Sequence, residues 1–591
     1  MNQQKLQEIL LKVEKPARYI GGEYNTPPMR KGESVRAAIC FADIYEIAMS
    51  NLGIQILYDI LNSHPSIVCE RCFTPWPDFA KELQKGNIPL FSLETRTPLA
   101  HFDILGFSCQ YELSFTNVLF MLDLAGIPFY AKDRDEQFPL IIAGGPCMAN
   151  PEPIADFFDL IVIGDGEEAF LEIALLAEQY KDNRQALLEK ASEIQGVYVP
   201  SLCTFENGVC VTSVKKAVVA DLTSAPYPKK PLVPNIQVVH DRLMLELFRG
   251  CWAGCRFCQA GFYYRPIRCR EQGKLIDMAQ VLIANTGREE LGLSSLSSGD
   301  YPNIEELVKS ITELAEPQGV KVQLPSLRLD SFDIELTKGA RLSGLTFAPE
   351  AGTQRLRDVI NKNITDQDIK KTMAAAFSQG YKTIKLYFML GLPTESYQDI
   401  DGIADMVSLI RELYIEKRKD KRIKINVSAN IFIPKPFTPF QWVAQIDKKE
   451  ALNRCLYLKE KLRPIAGVRF SYSDNRVAEL EAVMARGDRA LAKVILAAYR
   501  NGCVFDGWSE HFNAKGWEHA FSETGIKIED YIRERTTDEL LPWDFIDIGV
   551  SKKYLAKEYK RALLGQTTPS CKYKCIGCGA DKFAPCQGIS V

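Results

Sequence analysis

Along the first third of the chain, apolar and polar positions switch between two periods. Short β-rich apolar runs occur at VRAAICFA from Val35, FDILGFSC from Phe102, FPLIIAGG from Phe138 and DLIVIG from Asp159. Helix-length segments separate them, one reaching Leu61 and another running through Leu124. Strand and helix in strict alternation predict an α/β fold with a doubly wound parallel sheet between Val35 and about Val199. Gly144 and Gly145 end one run, and Gly164 and Gly166 follow another. Glycine at such places lets the backbone turn tightly or approach a ligand at the carboxyl edge of the sheet.

A second alternating series supplies LMLELFR, GLSSLSS, KVQLPS, GLTFAP, TIKLYFML and KINVSANIF between Leu243 and Phe432. About six β/α units of this kind predict a partial (β/α)6 barrel of the TIM type, with functional residues at strand C-termini. Pro434, Pro436 and Pro439 then interrupt regular structure, and the pattern beyond them is mainly helical, as in VAELEAVMARGDRALAKVILAAYR. The proline-rich stretch Leu222–Asn235 reads as an extended linker. The expected division is therefore 1–215 for the doubly wound domain, 216–240 for the linker, 241–440 for the barrel, 441–570 for a helical domain and 571–591 for a cysteine-rich tail.

A length of 591 residues exceeds what one hydrophobic core supports, in keeping with three or four folded units. Hydrophobic residues make up 46% and charged residues 25%, which excludes disordered and fibrous classes. A net charge of -3 gives no general attraction to a polyanion, so RNA binding would need a local patch. The polar N-terminus lacks the features of a secretory signal, and the apolar run FDLIVIGDGEEAF breaks at Gly164 and Asp165. A cytoplasmic protein without a membrane partner is expected. Seventeen cysteines in such a chain imply reduced thiols and metal ligation, not a disulfide framework.

The loop LFRGCWAGCRFCQAGFYYRP places Cys251, Cys255 and Cys258 directly after a predicted strand. Three thiolates at this spacing can wrap one face of an iron-sulfur cube and leave one iron without a protein ligand. Zinc is the alternative, but it normally takes four Cys or His ligands, and none of the five histidines lies in the loop. The CxxxCxxC spacing, with an aromatic at Phe257, resembles the signature of the radical S-adenosylmethionine (SAM) superfamily. More widely, the chain resembles the branch of that superfamily with an N-terminal cobalamin-binding-like domain, and its C-terminal half resembles an uncharacterised bacterial subfamily of that branch.

The resemblance implies that the open iron of a [4Fe-4S] cluster chelates SAM, and that one electron from the cluster releases a 5′-deoxyadenosyl radical. It implies that Phe257 packs beside the adenine. Ser297, Ser298, Gly299 and Asp300 fall where the family keeps a Gly-Gly-Glu-like motif for the SAM amino group. Ser326 and Arg328, in LPSLRLD, and Glu350, in TFAPEAGTQRLR, fall where relatives contact the ribose or carboxylate. Gly391 and Pro393 would turn near the adenine. Taken singly, each of these is equally an ordinary polar or turn residue at a barrel rim.

Many cobalamin-binding domains carry Asp-x-His-x-x-Gly after their first strand. Here the place reads ADIYEIAMSNLG, with Tyr45 and no histidine, which excludes histidine ligation of cobalt at that position. Base-off cobalamin remains one reading and a domain without the cofactor the other. Cys69 and Cys72 form a lone CxxC and, like Cys109 and Cys147, read as packing thiols.

At the C-terminus Cys571, Cys575 and Cys578 repeat the same spacing, and Cys586 is a candidate fourth ligand. A zinc knuckle and a second iron-sulfur cluster are both open. Trp508 and Trp543, in the helical region before it, read as core and His511 as a satisfied polar group, with a lid over the barrel mouth as the alternative. The leading expectation is a transferase-type radical SAM enzyme that functionalises an unactivated carbon, such as by methyl transfer on a macromolecule. Its partners would be SAM, an electron donor such as flavodoxin or ferredoxin, and that substrate. A regulatory iron-sulfur scaffold that binds SAM without turnover and an RNA-binding metal-knuckle protein are the alternatives.

Overall fold

Alternate side chains of a strand face opposite sides of its sheet, and the first strand sorts its residues accordingly. The computed structural model describes residues 3–30, 32–206, 208–323, 329 and 344–587. In it, β1 (Val35–Phe41) sends Ala37, Ile39 and Phe41 into one core and Ala38 and Cys40 into another. Helices Leu52–Ser63 and Glu167–Gln179 cover the first face, and helix Phe115–Ala125 covers the second. The other strands are β2 (Ile67–Phe73), β3 (Ile104–Ser108), β4 (Leu140–Gly144), β5 (Leu160–Val162) and β6 (Val197–Tyr198), in the order β2-β1-β3-β4-β5-β6. Pairing is parallel up to β5, and β6 runs antiparallel to β5. The order reverses between β1 and β3, the place where doubly wound sheets open a crevice at their carboxyl edge.

The apolar runs do not reveal β2, because its centre is Glu70 and Arg71. Both are buried and neutralised: Arg71 donates to Glu94 at 2.6 Å and to Glu23 at 2.7 Å, and Glu70 accepts from Arg36 at 2.8 Å. An odd separation on a strand puts Cys69 in one core and Cys72 in the other, so this CxxC is a pair of packing thiols.

The second unit contains two parallel sheets. One is β7 (Leu243–Glu246), β8 (Glu290–Ser294) and β9 (Lys321–Gln323); the other is β10 (Leu345–Glu350), β11 (Thr383–Leu390), β12 (Lys424–Ile431) and β13 (Val468–Tyr472). Two details differ from expectation. The run GLSSLSS leaves the sheet at Ser294, and Ser298–Asp300 makes a 3-10 turn. The β/α pattern also continues past position 440, through helix Lys448–Leu462 into β13, whose residues are half-buried or exposed and therefore lack an apolar signature.

The Leu222–Asn235 stretch has no regular element, yet Leu222, Ala225 and Leu232 are buried and the Tyr227 hydroxyl donates to the Met244 carbonyl at 2.6 Å. It is a packed strap and not a free spacer. Beyond β13, helices Asn475–Arg486, Leu491–Arg500 and Ala514–Thr524 close over the first sheet, sharing a core with Phe115, Trp517 and Trp543. Trp508 donates to Asp43 at 3.1 Å and packs edge-on against Trp76, so the aromatic density of this region is core around the doubly wound domain. One pair of cysteines departs from the expectation of reduced thiols: Cys203 and Cys210 face each other across the hairpin Phe205–Glu206/Val209–Cys210 and are joined as a disulfide. The other fifteen form no disulfide. Among the described residues no helix is long and apolar enough to cross a membrane.

Asp506 ties the helical region to the first domain by accepting from Thr116 at 2.9 Å and from Trp517 at 2.9 Å. Burial pushes its carboxyl up to about 6, from an ordinary 3.8. Between those values the native state holds a proton that the unfolded chain has lost, so stability falls as pH rises through this window. At neutral pH the buried charge costs about 3 kcal/mol. Asp506→Asn removes the charge, keeps a carbonyl acceptor for the Trp517 indole and turns an amide donor to the Thr116 hydroxyl, which can accept it. We expect it to raise the thermal midpoint at neutral pH and to flatten the loss of stability between about pH 4 and 6. A thermal melt series with an unchanged pH slope would sink this assignment.

Candidate functional site

The cysteine loop is an excursion closed at its base by a two-residue antiparallel ladder, Phe248–Arg249 against Arg268–Cys269. Gly250, at φ +93, allows the turn out of the strand, where an added Cβ would meet the Tyr264 carbonyl at 3.0 Å. Two polar side chains then fix the loop. Arg256 is fully buried and donates to Glu558 at 3.0 Å, to the Val359 carbonyl at 2.9 Å and to the Gln566 carbonyl at 2.7 Å. Asn361 donates to the Gly254 carbonyl at 3.1 Å. The loop is thus held chiefly by contacts of Arg256 and Asn361.

Cys255 is buried, and Cys251 and Cys258 are half-buried. Burial, then the neighbouring Cys255 and Cys251 thiols, push the Cys258 thiol up to about 12. Thiolates crowded in this way need a positive core to be stable, which is the electrostatic setting of a metal cluster. Among the described residues no three His, Cys, Asp or Glu side chains converge to hold a single metal ion. A cube does not require that convergence, because each thiolate binds its own iron.

Beside the loop, Lys362 joins two of the predicted site residues. Its ammonium donates to Glu350 at 3.2 Å and lies 5.7 Å from the centre of the Phe257 ring. Glu350 sits at the end of β10 with φ +69, after a shift in register against β11, and burial pushes its carboxyl up while Lys362 opposes that shift. The Ser297–Asp300 turn is bonded internally: Ser298 donates to the Leu293 carbonyl at 3.0 Å, and Ser297 donates to Asp300 at 2.5 Å. Asp300 also meets Lys572 of the tail at 3.7 Å. Gly391 has φ +83, and its amide is taken by Glu395 at 2.9 Å, so it serves first as a turn after β11. Ser326 and Arg328 lie outside the described residues.

A cavity of about 520 Å³ lies between the carboxyl edge of the first sheet and the base of the cysteine loop. Gly144 and Gly166 line it from one side, and Phe248, Arg249, Tyr264 and Ser295 from the other. A Cβ added at Gly144 would meet nothing within 4 Å, so the glycine leaves open space over the strand end. Arg249 bridges the seam, meeting Asp165 at 3.1 Å, Glu167 at 2.5 Å and Glu246 at 2.9 Å. Arg268 also binds Asp165, and the two guanidiniums hold that carboxyl well below the usual range against its burial. Sequence reasoning missed Lys362, Asn361 and Arg249, each of which acts on a group that folding brings to it: Glu350, the Gly254 carbonyl and Asp165 respectively.

Residues 245–407 match the model of the radical SAM superfamily, and residues 53–200 match that of radical SAM proteins, N-terminal. An uncharacterised protein of Methanocaldococcus jannaschii is 28% identical over 446 residues, 73% of this chain and 91% of its own length. The anaerobic magnesium-protoporphyrin IX monomethyl ester cyclase of Rubrivivax gelatinosus is 22% identical over 42% of this chain and 44% of its own. Cytidylyl-2-hydroxyethylphosphonate methyltransferase of Streptomyces wedmorensis is 24% identical over 41% and 46%. The chain spans less than half the length of these last two relatives. Among solved structures, the cobalamin-dependent SAM radical enzyme OxsB, with aqua-cobalamin and SAM bound, aligns at 14% identity and TM-score 0.49 over 90% of this chain and 79% of its own. The radical SAM methyltransferase TsrM from Kitasatospora setae, with cobalamin and a [4Fe-4S] cluster bound, aligns at 11% identity and TM-score 0.47 over 67% and 74%.

Removing one member of a buried ion pair costs about 3–5 kcal/mol, because the other charge is left alone. Arg256→Met takes from buried Glu558 its nearest cation, leaving the Thr568 hydroxyl at 2.8 Å and the more distant Arg561 at 3.9 Å. We expect a clearly lower thermal midpoint and weaker retention of loop-bound iron on anaerobic gel filtration, and an unchanged midpoint would contradict the anchoring role.

Proposed function

As the chain belongs to the radical SAM superfamily, we propose that Cys251, Cys255 and Cys258 hold a [4Fe-4S] cluster and that the neighbouring residues seat SAM for reductive cleavage. The carrying observation is the grouping of Phe257, Lys362 and Glu350 beside the cysteine loop. Bound there, the cluster supplies one electron and an open iron for the amino and carboxylate groups of SAM. The protein residues do the rest. Phe257 offers a flat face to the adenine. Glu350, half-buried at the end of β10, accepts from ribose hydroxyls or the ammonium, and Lys362 favours its ionised form. Ser298 and Asp300 border the amino-group side, Gly391 the adenine side, and Ser326 and Arg328 belong to the same proposed set. Single electrons would come from a donor such as flavodoxin or ferredoxin.

The cavity between the two sheets is the proposed place of the second participant. Its volume is in the range of cofactor and ligand sites, and the open space over Gly144 suits the close approach of a flat ring system. We assign it to a corrinoid with no protein nitrogen as lower ligand, since no histidine lines it. Methyl transfer to an unactivated carbon, as in the name of the 24% identical methyltransferase, is the reaction this arrangement suits.

Anaerobically reconstituted protein with a strong reductant and SAM should yield 5′-deoxyadenosine or a methylated product, and the triple Cys→Ala variant of the loop should yield neither. A reductant-independent protein that binds SAM without turnover would instead be a scaffold. Glu350→Gln removes a charge-assisted contact worth about 1.5–3 kcal/mol, so KM for SAM should rise about ten- to a hundredfold. Gly144→Ala, whose added Cβ meets no protein atom, should weaken retention of cobalamin absorbance while leaving the melt unchanged. Retention at the wild-type level would remove the corrinoid from this cavity.

A further inference from the structure

Arg265 is 1% exposed; its three nitrogens find no well-aligned hydrogen-bond acceptor among the described residues, although the Cys578 thiol and the Tyr554 hydroxyl lie beside them. Its guanidinium lies 5.0 Å from the Phe262 ring centre, and one nitrogen comes within 3.7 Å of the place a Cβ on Gly254 would take. The groups facing it from the other side are Cys571, Cys578 and Tyr554. A buried cation left unsatisfied is costly, so a site built around one is built for an anion.

The tail carrying those cysteines is docked and ordered. The Cys571 amide donates to the Trp252 carbonyl at 3.0 Å, and Ser570 donates to the same carbonyl at 3.1 Å. Trp252 in turn donates to the Gln587 carbonyl at 3.2 Å, and the Ser551 amide donates to the Cys578 carbonyl at 3.1 Å. Lys572 meets Asp300 at 3.7 Å. The segment from Cys571 to Cys586 is therefore pinned against the first cysteine loop, with Arg265 between them. Four thiolates on a dipositive metal core make a dianion, whether the core is a zinc ion or an iron-sulfur cube. The spacing of Cys571, Cys575 and Cys578 repeats that of Cys251, Cys255 and Cys258, and Cys586 completes a set of four.

We infer that Cys571, Cys575, Cys578 and Cys586 hold a fully protein-ligated [4Fe-4S] cluster whose negative charge is met by Arg265. The inference stands on the tail's own residues and not on the proposed reaction. Its test uses full-length protein purified anaerobically, with iron, sulfide and zinc analysis and a redox titration followed by electron paramagnetic resonance. Cys571→Ala/Cys578→Ala should lose half of the iron and sulfide and one of two resonance signals. The Cys251→Ala/Cys255→Ala/Cys258→Ala variant should lose the other half together with SAM cleavage. Arg265→Gln should keep its iron but shift the tail signal to lower potential, since a cluster without its cation accepts an electron less readily. Arg265→Lys should restore most of that shift. Zinc in place of iron, or iron content unaffected by the tail variant, overturns the cluster. An unshifted potential in Arg265→Gln overturns the role of the arginine.

Discussion

The geometry of the whole site depends on one desolvated guanidinium. Arg249 leaves the strand at the base of the cysteine loop and meets Asp165 and Glu167, from the turn after β5, together with Glu246 at the end of β7. No member of this group would be tolerable alone in a buried seam, and together each charge has an opposite within hydrogen-bond reach. The network sets the carboxyl edge of the doubly wound sheet opposite the mouth of the second unit. The cavity between them is a consequence of that alignment, because glycine stands where a side chain would have closed it.

The cysteine loop follows the same logic at smaller scale. Arg256 satisfies carbonyls from the segment after β10 and from the chain beyond helix Lys552–Leu563, and Asn361 holds the carbonyl of Gly254. These bonds order the loop through its backbone, so the sulfurs need not contribute to holding it. Three cysteines in one fixed loop, with the Cys258 thiol pushed up by burial and by its two neighbours, form a donor set that a cationic core would relieve of its mutual repulsion.

Much of this was legible beforehand, and the exceptions share a cause. The strands β1, β3, β4 and β5, and most of the second series, announce themselves because both faces are covered and their residues are apolar. β2 was hidden because buried Glu70 and Arg71 look polar in sequence, although their charges cancel against Arg36, Glu23 and Glu94 far along the chain. β13 was hidden for the opposite reason, being half-exposed at a sheet edge. At the site, cysteine spacing is a local signal and could be read directly. Lys362 and Arg265 matter through groups brought to them by folding, and nothing in their immediate neighbours records that.

The two cysteine sets share a spacing and differ in what surrounds them, and that difference is chemical. The first has three thiols and, next to them, an ion pair and an aromatic ring. A metal group seated there would keep one coordination site for a small molecule. The second has a fourth cysteine within reach and a buried arginine beside it, so a metal group there would be closed to ligands and tuned by charge alone. The Cys571 amide bonds the Trp252 carbonyl, so the two sets sit on segments joined by a backbone contact between buried residues. On the proposed reading, the arrangement would separate holding a reactive ligand from holding an electron, with the same short motif used twice.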